Sequence, residues 1–146
     1  MSNKKEACCA LTFREPFRVR FSEVDSMRIV WHGEYIRYFE DGREAFGHQY
    51  GISYLDIFNQ GYTLPVVEVS CQYKQSLTMG DTGIIEVCYV PTESAKVCFE
   101  YRIFRDSDHA LVATGSSVQV FLDQNNELVL LNPPFYLEWK KRWKVL

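Results

Sequence analysis

Residues 21–35 read FSEVDSMRIVWHGEY and join a segment with strand periodicity to a segment with helix periodicity. Upstream, apolar residues alternate with arginines over about residues 14–21, a period of two that is typical of a half-buried strand. Downstream, from residue 33 to about residue 49, apolar residues fall at helical spacing: Tyr35, Ile36, Phe39 and Phe46. The junction carries a carboxylate, Asp25, and a histidine, His32. Such residues before a helix serve either catalysis or ordinary capping, and the rest of the chain must decide.

Four more segments with a period of two follow residue 61, and they predict strands over 67–73, 85–89, 97–103 and 109–122. The turns between them are rich in Gly, Pro, Asp and Ser, and such short turns favour antiparallel pairing in meander-like order. A short helix is predicted over 53–58 with Ser53 as its cap, and another near the end of the chain. The predicted fold is α+β: a long central helix packed on a five-stranded antiparallel sheet. It forms a single domain over 1–146, with 1–12 as a frayed leader.

Composition excludes several classes of function. Apolar residues make up 47% of the 146-residue chain, which is enough for one well-filled core. A net charge of −3 argues against nucleic-acid binding, which needs a basic face. No apolar run approaches the roughly 18–20 residues of a membrane span. The five cysteines, an odd number, show no metal-ligand spacing, and those in the predicted strands read as free, buried thiols. We therefore predict a reduced, cytoplasmic protein without a bound metal.

The order of elements, together with FSEVDSMRIVWHGEYIRYFE at 21–40, resembles the hotdog-fold acyl-CoA thioesterases of the 4-hydroxybenzoyl-CoA thioesterase type. The family pattern is an aspartate, a short turn, apolar residues, an aromatic residue or histidine, and a tyrosine three residues later. Here these positions are Asp25, Ile29–Trp31, His32 and Tyr35, and ALVATGSSVQVFLD at 110–123 is similar to the family's last long strand. The resemblance implies the hotdog fold and thioester hydrolysis without any cofactor.

Two departures from the family pattern bear on the substrate. Arg28 stands at a turn position where the family usually has glycine. Some members carry a basic pair that holds nucleotide phosphates, whereas PTESAK at 91–96 offers only Lys96. The sequence therefore leaves open whether CoA or an acyl-carrier protein presents the acyl group. The acyl group itself, aliphatic or aryl, is open as well.

Thioester hydrolysis needs a polarised carbonyl and a group that attacks it or activates water. A helix N-terminus offers unpaired N–H groups to a developing oxyanion, and the backbone near His32 and Gly33 has this place. Gly33 also lets a substrate approach the backbone closely. Asp25 is the candidate nucleophile or general base, and the competing interpretation is that it caps the turn. Glu23 is the alternative carboxylate.

The remaining candidates are less specific. His32 is predicted to orient Asp25 or water, or to assist the leaving thiolate, and its alternative is a structural role. Tyr35 is expected to face the core and to line the acyl pocket, with Trp31 as a further substrate contact. Ser70 lies on the polar face of a predicted strand, where it is either solvated or part of a neighbouring subunit's site. Sites of this family usually form at dimer interfaces. We predict a homodimer or a homotetramer, because a single helix covers only part of one sheet face and leaves apolar edges and the opposite face to be buried.

Two other functions remain possible on the same fold. One is a non-catalytic module that binds or senses acyl thioesters, and the presence of Asp25 with His32 favours the enzyme over it. The other is a hotdog dehydratase, which is disfavoured because the expected Pro-Gly does not follow the histidine and the aspartate precedes it.

Overall fold

The computed structural model describes residues 11–146. The described chain forms five strands, one 3-10 helix and three α-helices, in the following order. They are β1 (Leu11–Arg18), the 3-10 helix (Phe21–Glu23), α1 (Glu34–Tyr50), α2 (Tyr54–Asn59), β2 (Val66–Tyr73), β3 (Thr82–Val90), β4 (Lys96–Arg105), β5 (Leu111–Val120) and α3 (Pro134–Arg142). The strand β1 begins at Leu11, so Leu11 and Thr12 belong to the sheet. The rest of the predicted leader lies outside the described residues.

The five strands form one antiparallel sheet in the order β1-β3-β4-β5-β2, which confirms the predicted fold class. The predicted meander holds for β3, β4 and β5 but is wrong for β2. Strand β2 pairs with β5 at the far edge, from Val66 opposite Gln119 to Tyr73 opposite Ala113. Residues 74–81 then carry the chain past β5 and β4 to β3. This connection is long enough to cross the sheet, and it runs beside the junction before α1.

The helix α1 packs on one face of the sheet and forms the core with it. Its buried positions include Tyr35, Phe39 and Phe46, and they meet strand residues that are 0–2% exposed, such as Ile85 and Phe99. A methyl group at Gly42 would lie 2.7 Å from Val87 Cγ2 and 2.9 Å from Ile85 Cγ2. The glycine therefore lets the helix approach β3 more closely than any other residue would allow.

The C-terminal end of α1 and the start of the next helix are fixed by specific contacts. At the end of α1, Gly51 adopts the left-handed conformation (φ 74°) and donates its N–H to the carbonyl of Gly47. The indole N–H of Trp139 in α3 donates to the carbonyl of Tyr50 at 2.7 Å. The next helix, α2, begins with a capping box, because Ser53 Oγ accepts from the N–H of Asp56 and the Asp56 carboxylate accepts in return. This confirms the predicted cap at Ser53.

The sheet face opposite α1 is polar. Glu86 is only 4% exposed there, because Arg14 of β1 and Arg102 of β4 bind one carboxylate oxygen each. Beside this cluster Ser70 of β2 and Ser116 of β5 share a hydrogen bond of 2.8 Å. The polar groups at the centre of this face therefore satisfy one another, and half-buried apolar residues such as Ile84, Phe104 and Val118 lie on the same face.

The strand cysteines differ in state. Cys71 and Cys98 are free and half-buried, as predicted. Cys88 is disulfide-bonded, so the expectation of a free thiol is wrong at that position.

Candidate active site

Asp25 stands at the head of a tight turn between the 3-10 helix and α1. Its N–H donates to the carbonyl of Ile29, and its own carbonyl accepts from the N–H of Arg28, both at 2.9 Å. The carboxylate oxygen Oδ1 accepts from the N–H of Met27 at 2.8 Å. Hydrogen bonds of residues 11–146 use no other atom of this carboxylate. Asp25 therefore caps the turn through Oδ1 and keeps Oδ2 available.

Arg28 holds the one turn position that requires a left-handed backbone, with φ at 65°. This conformation explains the family's usual glycine, since an L side chain is strained there by about 1–2 kcal/mol. The departure from the family pattern therefore places a long basic side chain at a backbone position that favours glycine.

Replacing Arg28 with glycine should raise the free energy of unfolding by about 0.5–1 kcal/mol, because the strain goes while some chain entropy is lost. Urea denaturation of the purified variant measures this. Ser26→Gly is the matched control: Ser26 lies in the same turn at a negative φ, so glycine there should give no gain. A lower midpoint for Arg28→Gly than for wild type would contradict this account of the turn.

The segment after the turn is held against the β2–β3 connection. The N–H of Val30 donates to the carbonyl of Leu77, a fully buried residue, at 2.9 Å, and Ile29 forms a β-bridge with Thr78. The N–H of Trp31 donates to the carbonyl of Glu23 at 2.9 Å. These bonds place Asp25 beside the start of α1 and make the connection the opposite wall.

A cavity of about 290 Å³ opens between these two segments. The turn and the helix contribute one side, and the end of β2 with the connection contributes the other. Its lining residues are Asp25, Met27, Ile29, Val30, His32, Tyr35, Tyr73, Lys74, Gln75 and Ser76. The structure thus brings together three of the predicted site residues, Asp25, His32 and Tyr35, around one space.

Aromatic rings form the floor and one wall of the cavity. Tyr35 is 3% exposed, and Tyr73 meets it edge-on at 5.1 Å between ring centroids. Burial raises the pKa of Tyr35 to about 12, against a smaller opposing effect of a hydrogen bond from the Leu77 backbone. Tyr35 therefore stays protonated at neutral pH. Its burial confirms the predicted core-facing position, whereas its contact with an acyl group stays a prediction.

The helix start lies at the same cavity. Gly33 is the N-cap residue, and no side chain caps the helix there. The N–H of Glu34 donates to the carbonyl of Trp31 at 2.9 Å, whereas the backbone hydrogen bonds of residues 11–146 do not use the N–H groups of His32 and Gly33. These are the unpaired donors expected at a helix N-terminus.

Packing against Trp31 explains why residue 33 is a glycine, and the sequence did not reveal this contact. A methyl group there would lie 2.1 Å from Trp31 Cζ3, because the Trp31 indole folds back over the glycine. Trp31 is half exposed and does not line the cavity, so in this chain it packs on the helix start. The predicted contact between Trp31 and the substrate is therefore not made inside this cavity.

Glu23 and Ser70 lie elsewhere. The carboxylate oxygen Oε1 of Glu23 accepts from the Tyr38 hydroxyl at 2.8 Å and from the N–H of Arg20 at 2.9 Å, in a different cavity. Ser70 is on the sheet face opposite α1, bonded to Ser116, whereas its neighbour along β2 with the opposite alternation, Cys71, faces the helix. Within one chain, Asp25 is the carboxylate of the junction cavity and Ser70 is not part of it.

The sequence analysis missed the second wall of the site. Tyr73, Lys74, Gln75 and Ser76 line it, and Arg105 at the end of β4 braces it by donating to the Ser76 carbonyl at 2.7 Å and to Gln75 Oε1 at 2.6 Å. The period-two pattern shows only that Tyr73 ends a strand. Its place beside His32 depends on the pairing of β2 with β5, which no local signal specifies.

The chain belongs to the Thioesterase-like superfamily, whose family model matches residues 19–140. This confirms the resemblance drawn from the junction. No helix within residues 11–146 is long and apolar enough to cross a membrane.

Two curated relatives and one solved structure show how close the similarity is. A Bacillus subtilis protein named "Putative acyl-CoA thioesterase YneP" is 29% identical over 71% of this chain and 75% of its own length. A Synechocystis protein named "Putative esterase sll0410" is 30% identical over 81% of this chain and 71% of its own length. The DHNA-CoA thioesterase structure from Staphylococcus aureus superposes with a TM-score of 0.81 at 23% identity, covering 91% of each chain. At that identity the structure supports the shared fold alone.

Proposed function

We propose that this protein is an acyl-CoA thioesterase that hydrolyses an acyl or aryl thioester at the Asp25 cavity, without metal or cofactor. The observation that carries the proposal is the second oxygen of Asp25. The carboxylate uses Oδ1 to hold the turn and keeps Oδ2 available in a cavity that also contains His32 and adjoins the helix start. Membership of the Thioesterase-like superfamily supports this chemistry, as does the name of the Bacillus subtilis relative.

The proposed reaction places the thioester carbonyl near the N–H groups of His32 and Gly33. These donors and the positive end of the helix dipole stabilise the negative charge that develops on the carbonyl oxygen. Asp25 either removes a proton from the attacking water or attacks the carbonyl itself. In the first route the water oxygen stays on the acyl carbon as the carbon–sulfur bond breaks. In the second route the carbon–sulfur bond breaks as a mixed anhydride forms between the acyl group and Asp25, and water then hydrolyses this anhydride to the free acid and regenerates the carboxylate. In both routes the leaving thiolate of CoA takes up a proton.

His32 is placed to transfer a proton to the leaving thiolate or from the attacking water. It is exposed, it lines the cavity, and its ring contacts Trp31 at 4.8 Å and Tyr73 at 6.4 Å between centroids. Among the hydrogen bonds of residues 11–146 none involves its imidazole. The ring is therefore oriented by aromatic contacts and keeps both nitrogens available for proton transfer.

A panel of acyl-CoA substrates with a thiol-detecting reagent tests the function. Aryl, short-chain and long-chain acyl groups, each offered on CoA and as an acyl-carrier-protein thioester, would show which acyl group and which carrier the cavity accepts. We expect repeated turnover with at least one of them. Tight binding without thiol release would instead establish the binding or sensing module, and no response to any thioester would contradict both functions.

One residue of the cavity bears on how CoA or an acyl-carrier protein would present the acyl group. Of the residues that line the cavity, Lys74 is the one lysine or arginine, and it lies on the exposed wall formed by the connection. It is placed to meet a phosphate of CoA or of a phosphopantetheine arm, both of which carry the reactive thiol at some distance from a phosphate. We propose Lys74 as this contact.

We also propose that the chain assembles as a homodimer through the free edge of β2. The edge strand exposes large apolar side chains, with Val66, Val67 and Val69 between 43% and 58% exposed. An unpaired edge of this kind is a template for pairing with another chain. A homotetramer would also bury the sheet face opposite α1, and it stays a prediction. The cytoplasmic location remains a prediction.

Light scattering should therefore give twice the 17.1 kDa chain mass at micromolar concentration. Val69→Lys places a charge on the edge strand and should shift the mass toward that of a single chain. Leu131→Lys is the matched control, since Leu131 is 82% exposed after β5 and away from β2. A wild-type mass of one chain, or a dimer insensitive to Val69→Lys, would contradict the proposed interface.

A further inference from the structure

We propose that Tyr73 is a positioning residue that fixes the peptide between His32 and Gly33 at the start of α1. The proposal rests on the proposed thioesterase function, because that function uses the N–H groups of this peptide segment. Tyr73 ends the edge strand β2, far from His32 in sequence, and its hydroxyl donates to the His32 carbonyl at 2.8 Å. The bond joins the two walls of the cavity directly.

Because the peptide bond is planar, the hydrogen bond to the His32 carbonyl also affects the N–H of Gly33. The carbonyl of His32 and the N–H of Gly33 belong to one rigid plane and point in opposite directions. A donor that fixes the carbonyl therefore also fixes the direction of the Gly33 N–H. Gly33 has neither a side chain nor a side-chain cap to hold this plane, so the peptide depends on contacts from outside the helix.

The ring of Tyr73 adds a second constraint on the same residues. It meets the His32 imidazole edge-on at 6.4 Å and 89°, and it meets Tyr35 edge-on at 5.1 Å and 87°. Because the His32 imidazole lacks hydrogen bonds within residues 11–146, the Tyr73 and Trp31 rings determine its orientation. One side chain of the edge strand thus constrains both the proposed carbonyl-polarising backbone and the proposed proton-transfer group.

The variant Tyr73→Phe separates these two roles, since it keeps the ring and removes the hydroxyl. We expect kcat to fall about tenfold with KM nearly unchanged, because the lost bond misplaces groups that act on the transition state. We also expect the amide NMR signal of Gly33 to move. Tyr62→Phe is the matched control: Tyr62 is a half-buried tyrosine whose ring contacts Phe121 and Phe135 at another cavity. It should leave kcat and the Gly33 signal as they are in wild type.

Other outcomes overturn the proposal. A raised KM with unchanged kcat would make Tyr73 a substrate contact, and an unmoved Gly33 signal would show that its hydroxyl does not fix the peptide. A wild-type protein that hydrolyses no thioester would overturn the proposed function and the catalytic consequence of Tyr73 together. In that case the Gly33 signal would still decide whether Tyr73 positions the helix start.

Discussion

Asp25→Asn is expected to fold and to bind acyl-CoA like wild type, and to lose at least about a hundredfold in kcat, the scale of a lost general base. Asparagine has nearly the same size as aspartate, and its side-chain oxygen can still accept the hydrogen bond from the Met27 N–H that holds the turn. The change removes the negative charge and the basic oxygen. Thermal melting, binding of a non-hydrolysable analogue and steady-state hydrolysis on one preparation give the three quantities.

The competing interpretation makes the opposite prediction. If Asp25 serves only as a cap, Asp25→Ala should lower the free energy of unfolding by about 0.5–2 kcal/mol and leave turnover near the wild-type value. The structure shows that Asp25 does cap the turn, so a loss of stability in the alanine variant does not exclude catalysis. The asparagine variant is therefore the decisive one, because it retains the cap.

Phe46→Ala should lower the free energy of unfolding by about 3–5 kcal/mol, the largest stability effect that we expect from a single change. Phe46 is fully buried at the centre of the contact between α1 and the sheet. Its ring lies 4.5 Å from that of Tyr50 and 5.0 Å from that of Phe99, between centroids. The alanine leaves a cavity where α1, the helix that begins at the proposed active site, is anchored. Urea denaturation measures the loss.

Phe46→Leu is the control for this position. Leucine refills most of the volume without the ring contacts, so its cost should be clearly smaller than that of alanine. Equal losses for the two variants would show that the aromatic contacts of Phe46, and not its volume, stabilise the helix. No loss in either variant would contradict the proposed packing of α1.

Local patterns predicted the elements that local physics determines. The helix expected from residue 33 to about residue 49 is α1, Glu34–Tyr50, because its apolar stripe recurs with the helical period over four turns. The short helix α2 was predictable from Ser53, since a capping box is a local interaction. Strand β1 was placed about three residues late. Its N-terminal half, LTFR, alternates regularly, so the error lies in where the strand begins and ends, which sequence patterns set poorly.

The pairing of strands and the second wall of the site were not predictable in the same way. The alternation in β2 shows that Tyr73 and Ser70 lie on opposite faces of the sheet, but not which strand lies beside them. The sequence analysis selected Ser70 and omitted Tyr73, whereas the structure places Tyr73 at the cavity and Ser70 on the polar face. That difference follows from β2 crossing to β5, a long-range contact that carries no sequence periodicity.

Asp25 itself was predicted because its chemistry and its spacing to His32 and Tyr35 are both local. Only part of the role of Arg28 was predictable from the sequence. The sequence showed the departure from glycine, and the structure adds that Arg28 adopts φ 65°, a conformation that favours glycine.

The most direct test of the account measures CoA release by wild type, Asp25→Asn and Glu23→Gln in parallel, with one acyl-CoA that the wild type hydrolyses. Glutamine at position 23 keeps an oxygen for the Tyr38 hydroxyl and the Arg20 N–H, so this control should fold normally. We predict that Asp25→Asn loses at least about a hundredfold in kcat while Glu23→Gln stays close to wild type. If Asp25→Asn keeps wild-type turnover while Glu23→Gln is inactive, Glu23 and not Asp25 is the catalytic carboxylate. If both variants are fully active, neither Asp25 nor Glu23 takes part in hydrolysis.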